Sequence, residues 1–239
     1  MGVTLLAAVG GGLAGAFLPL AIYRLSVPYG EPPRASCERC GQRLAWAGIR
    51  CRGCRRDLGP QWWVSASAAF AGAGILTLSL PGGALAALAA VPLALLGTVL
   101  GLVDVACRRL PTAIVVPSTV VGAMALFAVS AGTGDWGSLG RAALGALTLG
   151  AIYLALYALP GGNLGFGDVQ LAVLIGLLLG YLGWAQVLWG AMLPWLVNAP
   201  VVLALLASGR AGRRSRVPFG PSMIAGAVLS VALVTALAG

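Results

Sequence analysis

The sequence predicts an all-α polytopic membrane protein of about eight transmembrane helices, with a small cytoplasmic zinc-ribbon loop between the first two. Three observations predict it. The 239 residues are 59% hydrophobic and only 9% charged, far outside the range of soluble domains. The charge-free runs are long enough to cross a bilayer, about 20 apolar residues each. The basic stretch after the first run carries four cysteines in two CxxC pairs.

In chain order, residues 2–23 hold one span. Residues 58–103 carry no charge over 46 positions, enough for two, with "PGG" (81–83) as the turn. Residues 110–134 and 142–167 hold one each. Residues 169–209 hold two, broken near "LGWAQ" (182–186), and 217–239 hold the last. The first run has no basic residue before it, unlike a secretory signal peptide, so the N-terminus is expected outside. Alternation then makes 24–57, 104–112, 160–168 and 208–219 the inner loops. They contain fourteen of the fifteen arginines, and Arg141 alone remains on the outer side. That asymmetry predicts an inner, cytoplasmic-membrane protein with both termini outside and the basic loops in the cytoplasm. The formal charge of +9 is accounted for by arginines that fix orientation and touch anionic lipid, so the bilayer rather than nucleic acid is the expected partner.

The absences restrict the chemistry. Without histidine there is no Ser-His-Asp or Cys-His triad and no His-ligated metal. Without lysine there is neither a P-loop lysine nor a Schiff base. Of six acidic residues, Glu31, Glu38 and Asp57 lie in the Arg-rich loop, and Asp135 sits in an outer turn, "GTGDWG". Two remain. Asp104 ends the third span in "LGLVDVACRRLP", and Asp168 opens the sixth in "GFGDVQL". The topology puts both at the cytoplasmic boundary. Two neighbouring carboxylates do not both ionise easily, so one stays protonated as an acid while the other serves as a base. Each taken alone could be a helix cap or a partner for arginine, Asp104 for Arg108 for example. At matched depth they form the one self-sufficient hydrolytic apparatus this composition allows. Gly165 and Gly167 let backbone approach the turn closely.

The loop "CERCGQRLAWAGIRCRGC" pairs Cys37 with Cys40 and Cys51 with Cys54, ten residues apart. Four thiolates at this spacing make a closed tetrahedral Zn²⁺ site, structural because no coordination position stays open. Two disulfides are the competing reading, disfavoured in the reducing cytoplasm. Cys107 is read as an incidental helix-end residue.

In this order the motifs resemble the prepilin peptidase family, membrane aspartic proteases of the GxGD kind. "GAFLPLAIYRL" (15–25), the CxxC pairs, "DVACRRLP" (104–111), "GFGDVQLAVLIGLLLG" (165–180) and "VPFGPSMIAG" (217–226) carry the resemblance along nearly the whole chain. It implies an aspartic endopeptidase with Asp104 and Asp168 as the catalytic pair. Its substrates would be type IV prepilins or pseudopilins, cut at the cytoplasmic face between a short basic leader and a hydrophobic helix. Many members then methylate the new N-terminus with S-adenosylmethionine. Three departures stand out: a shorter segment between the CxxC pairs, "QWWVSAS" (61–67) where an acidic residue is usual, and Thr112 after "LP". The first two fall in the region associated with methylation. The implied organisation is a first helix (1–23), a Cys₄ loop (24–61) and a seven-helix peptidase domain (62–239). The rival readings are a presenilin-type intramembrane protease and a non-enzymatic transporter or assembly scaffold with a zinc-ribbon docking loop. A carboxylate pair at one boundary disfavours transport, which needs carboxylates along a midplane path.

Overall fold

Each of the eight apolar runs falls on helix. The computed structural model describes residues 2–28, 31–80, 84–159, 164–207 and 218–238. The 81–83 turn, residues 160–163 of the GxGD loop, and Arg210, Arg213, Arg214 and Arg216 lie outside the described residues. The chain divides into two units, Met1–Cys107 and Arg108–Gly239. The first holds α1 (Gly2–Gly15), α2 (Pro19–Leu25), α3 (Trp62–Ser79) and α4 (Ala84–Cys107); the second holds α5 (Thr112–Thr133), α6 (Trp136–Ala158), α7 (Phe166–Leu182), α8 (Trp184–Ala207) and α9 (Gly220–Ala238). Among the described residues five helices are long and apolar enough to cross a membrane, six if α1 and α2 count as one bent span. At 17 residues, α7 is shorter.

The first expected span is not one straight helix. It breaks after Gly15 and restarts at Pro19, bent by 55°. Proline suits the first turn of a helix, where its missing N–H costs nothing. Backbone groups freed by the break are paired by Gly48 of the cysteine loop: its N–H donates to the Phe17 carbonyl at 2.8 Å, and its carbonyl accepts the Leu20 N–H at 3.1 Å. Such pairing is what polar backbone requires at a membrane border.

Small residues set how closely the helices pack. In the first unit a Cβ added to Gly11 would lie 2.8 Å from the Ala73 Cβ, and one on Gly15 would lie 2.7 Å from the Ala69 Cβ. In the second, α6 and α7 run antiparallel with backbones nearly touching. A Cβ on Gly145 would be 2.5 Å from the Gly176 carbonyl oxygen, and one on Gly180 would be 2.6 Å from that of Arg141. Close approach of this kind, rather than hydrophobic burial, is how helices associate in lipid.

The fifth span starts earlier than expected. Gly134 closes α5 with φ 77°, and Asp135 at once caps α6, its Oδ1 accepting the Ser138 N–H at 3.0 Å. The connection is therefore only two residues long. Arg141, expected in an outer loop, lies inside α6 and donates to the Ser138 hydroxyl at 2.7 Å. The Ser138 hydroxyl and amide hold the Asp135 carboxyl below its ordinary range.

Candidate active site and metal centre

Asp168 is the third residue of α7, and it closes its own turn. Gly165 is the N-cap in extended conformation, with φ −85° and ψ 151°. The Asp168 N–H donates to the Gly165 carbonyl at 3.0 Å, and the Gly165 N–H donates to Asp168 Oδ2 at 2.9 Å. The second bond is the returning half of a capping box, with aspartate in place of the usual glutamate, and the first is an ordinary backbone bond of the opening turn. The capping bond fixes the carboxylate relative to the helix start while leaving it buried, at 9% exposure.

The two glycines of the motif do different work. A Cβ on Gly167 would lie 2.9 Å from the Leu110 Cβ and 3.3 Å from its carbonyl oxygen, so the turn rests directly on the segment that leads into α5. At Gly165 a Cβ would meet nothing nearer than Asp168 Oδ2 at 3.4 Å. Close approach is a property of Gly167.

Asp104 lies in the last turn of α4, buried at 4% exposure. The helix ends at Cys107, and Arg108 turns the chain with φ 54°. Asp104 belongs to the first unit and Asp168 to the second.

The cysteines form two copies of one knuckle, fourteen positions apart. In the first, the Cys37 N–H donates to the Gln42 carbonyl and the Gly41 N–H to the Cys37 carbonyl, both at 2.9 Å. In the second, the Cys51 N–H donates to the Arg56 carbonyl and the Arg55 N–H to the Cys51 carbonyl, both at 3.0 Å. Bridges between Ser36 and Arg43, and between Arg50 and Asp57, close the two turns. The residue after the second cysteine of each pair is left-handed: Gly41 with φ 70°, Arg55 with φ 53°. All four Sγ atoms lie within 4.8 Å of one another. Cys37 and Cys54 sulfurs are 3.9 Å apart, Cys40 and Cys51 sulfurs 3.6 Å. A tetrahedron of Zn–S bonds near 2.3 Å has edges of about 3.8 Å, whereas a disulfide is about 2.05 Å long. The donor set fits zinc, and all five cysteines are free.

Backbone amides already favour thiolate in this loop. The Cys54 and Gly53 amides draw the Cys51 thiol down to about 7. Those of Arg39 and Cys40 lower Cys37. At Cys40 the Gln42 amide pulls the same way, but burial and the neighbouring sulfurs outweigh it and carry the thiol up to about 11.

The loop is bound firmly to the helix break. Leu20 of α2 shares a small core with Cys37, Leu44, Cys51 and Leu58. Arg24 donates to the Leu44 carbonyl and lies over the Trp46 ring, 4.0 Å from its centroid. Arg34 donates to the Tyr23 carbonyl at 2.8 Å and pairs with Glu38 at 2.9 Å. A cavity of about 330 Å³ remains between loop and break, with Phe17, Leu20 and Leu44 in its lining, together with Arg43, Arg52 and Arg50, the last paired with Asp57.

Sequence reasoning did not find Tyr153, which is fully buried and stacks near Trp195 and Phe219, with ring centroids 6.4 and 6.3 Å away. One tyrosine on an apolar helix carries no signal. Phe219 lies in the "PFGP" segment, one of those that carry the family resemblance.

Two curated proteins match this chain, both called "Prepilin leader peptidase/N-methyltransferase", from Burkholderia pseudomallei strains 1026b and K96243. Each is 30% identical over 213 residues, covering 81% of this chain and 65% of the relative. The chain thus spans just under two thirds of the length of these relatives. No family model and no solved structure matches it. The likeness carried by the motifs extends over 213 aligned residues of these two relatives.

Proposed function

We propose that this chain, a relative of the prepilin peptidase family, is a membrane aspartic endopeptidase that removes the basic leader of a prepilin or prepilin-like protein at the cytoplasmic face. Asp104 and Asp168 are its catalytic pair, within the portion formed by residues 62–239. The observation that carries this reading is the seat of the GxGD turn. Gly167, next to Asp168, rests on Leu110, and Leu110 is only six residues beyond Asp104 in the chain. A short covalent tether supports the two carboxylates sharing one boundary.

In this mechanism the ionised aspartate takes a proton from water as the oxygen adds to the scissile carbonyl carbon. The protonated one gives its proton to the carbonyl oxygen. Collapse of the tetrahedral intermediate breaks the C–N bond. The proton gained by the base passes to the leaving amine, and the hydroxyl proton returns to the other carboxylate. The pair is restored.

Zinc fits the Cys₄ knuckles, with Cys37, Cys40, Cys51 and Cys54 as its ligands. Bound there it supplies a rigid cross-link but no open position for water. The chain's own residues then hold the helix break in place through Gly48 and Leu20. The arginines around the loop cavity have the wrong sign for a basic leader, so we place the leader elsewhere. The acidic residues Glu38 and Asp57 are paired with Arg34 and Arg50. Methylation of the new N-terminus with S-adenosylmethionine is the second step that the relatives' name includes, and the mass of the product tests it.

Coexpression with prepilins, followed by N-terminal sequencing and mass of the product, tests the reading. Removal of the leader is expected, and an uncut prepilin in every pairing overturns it. Reporter fusions after Arg56 and Arg109 should report cytoplasm, and fusions near Asp135 and the C-terminus the opposite side.

A further inference from the structure

The cavity of about 330 Å³ between the cysteine loop and the helix break has a definite level in the first unit. That level follows from the packing of α1 on α3. The two run antiparallel: a Cβ on Gly11 would meet Ala73, and one on Gly15 would meet Ala69 and the Ser65 carbonyl oxygen. The same register puts Phe17, which lines the cavity, level with the first turn of α3, where Trp62 and Trp63 are exposed. Tryptophan gathers where hydrocarbon meets headgroups. The cavity therefore stands at headgroup depth.

Its lining has an apolar part, with Phe17, Leu20 and Leu44, and a basic part, with Arg43, Arg50 and Arg52. Asp57 pairs with Arg50 at 2.7 Å. Among the described residues Arg43 and Arg52 have no acidic partner, and the lining includes no carboxylate. A further cation lies next to Leu44: Arg24 donates to its carbonyl and keeps a buried Nε with no hydrogen-bond partner. Guanidinium groups take phosphate oxygens in paired hydrogen bonds. The volume is at the lower end of small-molecule sites, about 300–1,000 Å³, which suits a headgroup and the first carbons of a lipid. A zwitterionic headgroup would bring an ammonium that nothing in the lining pairs. Arginines beside a thiolate cluster also neutralise it, and Cys51 is in the lining. That role gives no reason for apolar residues and open space beside them.

We propose that this cavity binds one anionic phospholipid: Arg43 and Arg52 hold its phosphate, and Phe17, Leu20 and Leu44 take the glycerol ester carbons. The lipid bridges the ribbon and the α1–α2 break, beside the backbone bonds that Gly48 makes to Phe17 and Leu20. The site is separate from the aspartates and does not depend on the peptidase reading.

The test uses the full-length protein in nanodiscs of phosphatidylcholine, alone or mixed with phosphatidylglycerol, and reads Tm and metal content. Wild type should melt roughly 3 °C or more higher with phosphatidylglycerol present. Arg43→Gln/Arg52→Gln should lose most of that rise while keeping its metal content and its Tm in phosphatidylcholine. Arg39→Gln/Arg56→Gln removes the same charge from exposed positions outside the lining and should keep the rise. Ala47→Trp fills the cavity and leaves both arginines, so it should lose the rise. No rise in wild type overturns the proposal. So does an equal loss in the two double variants, which would make the attraction a diffuse one between surface charge and anionic lipid. Loss of metal from Arg43→Gln/Arg52→Gln would assign those side chains to the thiolates, and overturns it. A rise that survives in Ala47→Trp overturns it as well. Inorganic phosphate that reproduces the rise in lipid-free detergent would make this a free-anion site and overturn the lipid.

Discussion

Gly167 lies against Leu110 with no room for a methyl group: a Cβ there would stand 2.9 Å from the Leu110 Cβ. Across the same motif Gly165 has space, and its φ of −85° is one any residue adopts. Gly167→Ala should therefore displace the turn, cost roughly 1–3 kcal/mol as overpacking and remove most cleavage. Gly165→Ala should fold and keep substantial activity. Comparison of Tm and prepilin cleavage checks both, and equal damage at the two sites would contradict the packing account.

Substitution of the aspartates separates structure from chemistry. Asn at position 168 can still accept the Gly165 N–H through its carbonyl, so Asp168→Asn should fold normally yet lose nearly all cleavage. Asp104→Asn should do the same. Residues acting as a unit are non-additive, so the double variant should be little slower than either single. A single variant that retains a large fraction of wild-type rate would exclude the pair.

The ribbon should matter to the fold before it matters to the chemistry. We expect one zinc per chain and cysteines that are not disulfide-bonded. Chelation or Cys→Ser change should release the loop from the α1–α2 break, because metal binding and folding are coupled in so small a unit. Metal content, Tm and cleavage per folded molecule measure this. Cleavage should survive better than in Asp168→Asn. Proton release on zinc uptake by the metal-free protein should grow below pH 7, where the Cys51 thiol, drawn down to about 7 by the Cys54 and Gly53 amides, regains its proton.

The two knuckles differ in one strained position. Gly41 adopts its left-handed φ freely, whereas Arg55 holds the equivalent one with a full side chain, at about 1 kcal/mol. Arg55→Gly should raise the stability of the zinc-loaded ribbon, and Gly41→Arg should lower it. Thermal unfolding with saturating zinc reads both.

Asp135 should give the start of α6 a dependence on acid. Its carboxyl is held below the ordinary range by Ser138, so its stabilisation is complete above the unfolded value near 4 and is lost as pH falls through the lower folded value. Hydrogen exchange around residues 136–141 should quicken in that window, and should not in Asp135→Asn.

What the sequence determined by itself is what depends on composition and local spacing. Charge-free length decided where helices form, and CxxC spacing decided the thiolate cluster. Asp104 and Asp168 were marked as the unusual carboxylates at helix ends. Each of these is set within a few residues, by the thickness of the bilayer, the reach of a knuckle or the cost of a charge beside lipid. Only the tertiary structure decided the rest. The bend between α1 and α2 depends on Gly48, thirty residues on, which pairs the freed backbone. The division of work between Gly165 and Gly167 depends on Leu110, and nothing adjacent in sequence distinguishes the two glycines. The buried place of Tyr153 became visible only when the register of α6 on α7, set by glycines at 145, 176 and 180, brought it level with Gln170. Contacts between distant segments depend on side-chain volume at the meeting point, and that volume is read only when both partners are in place.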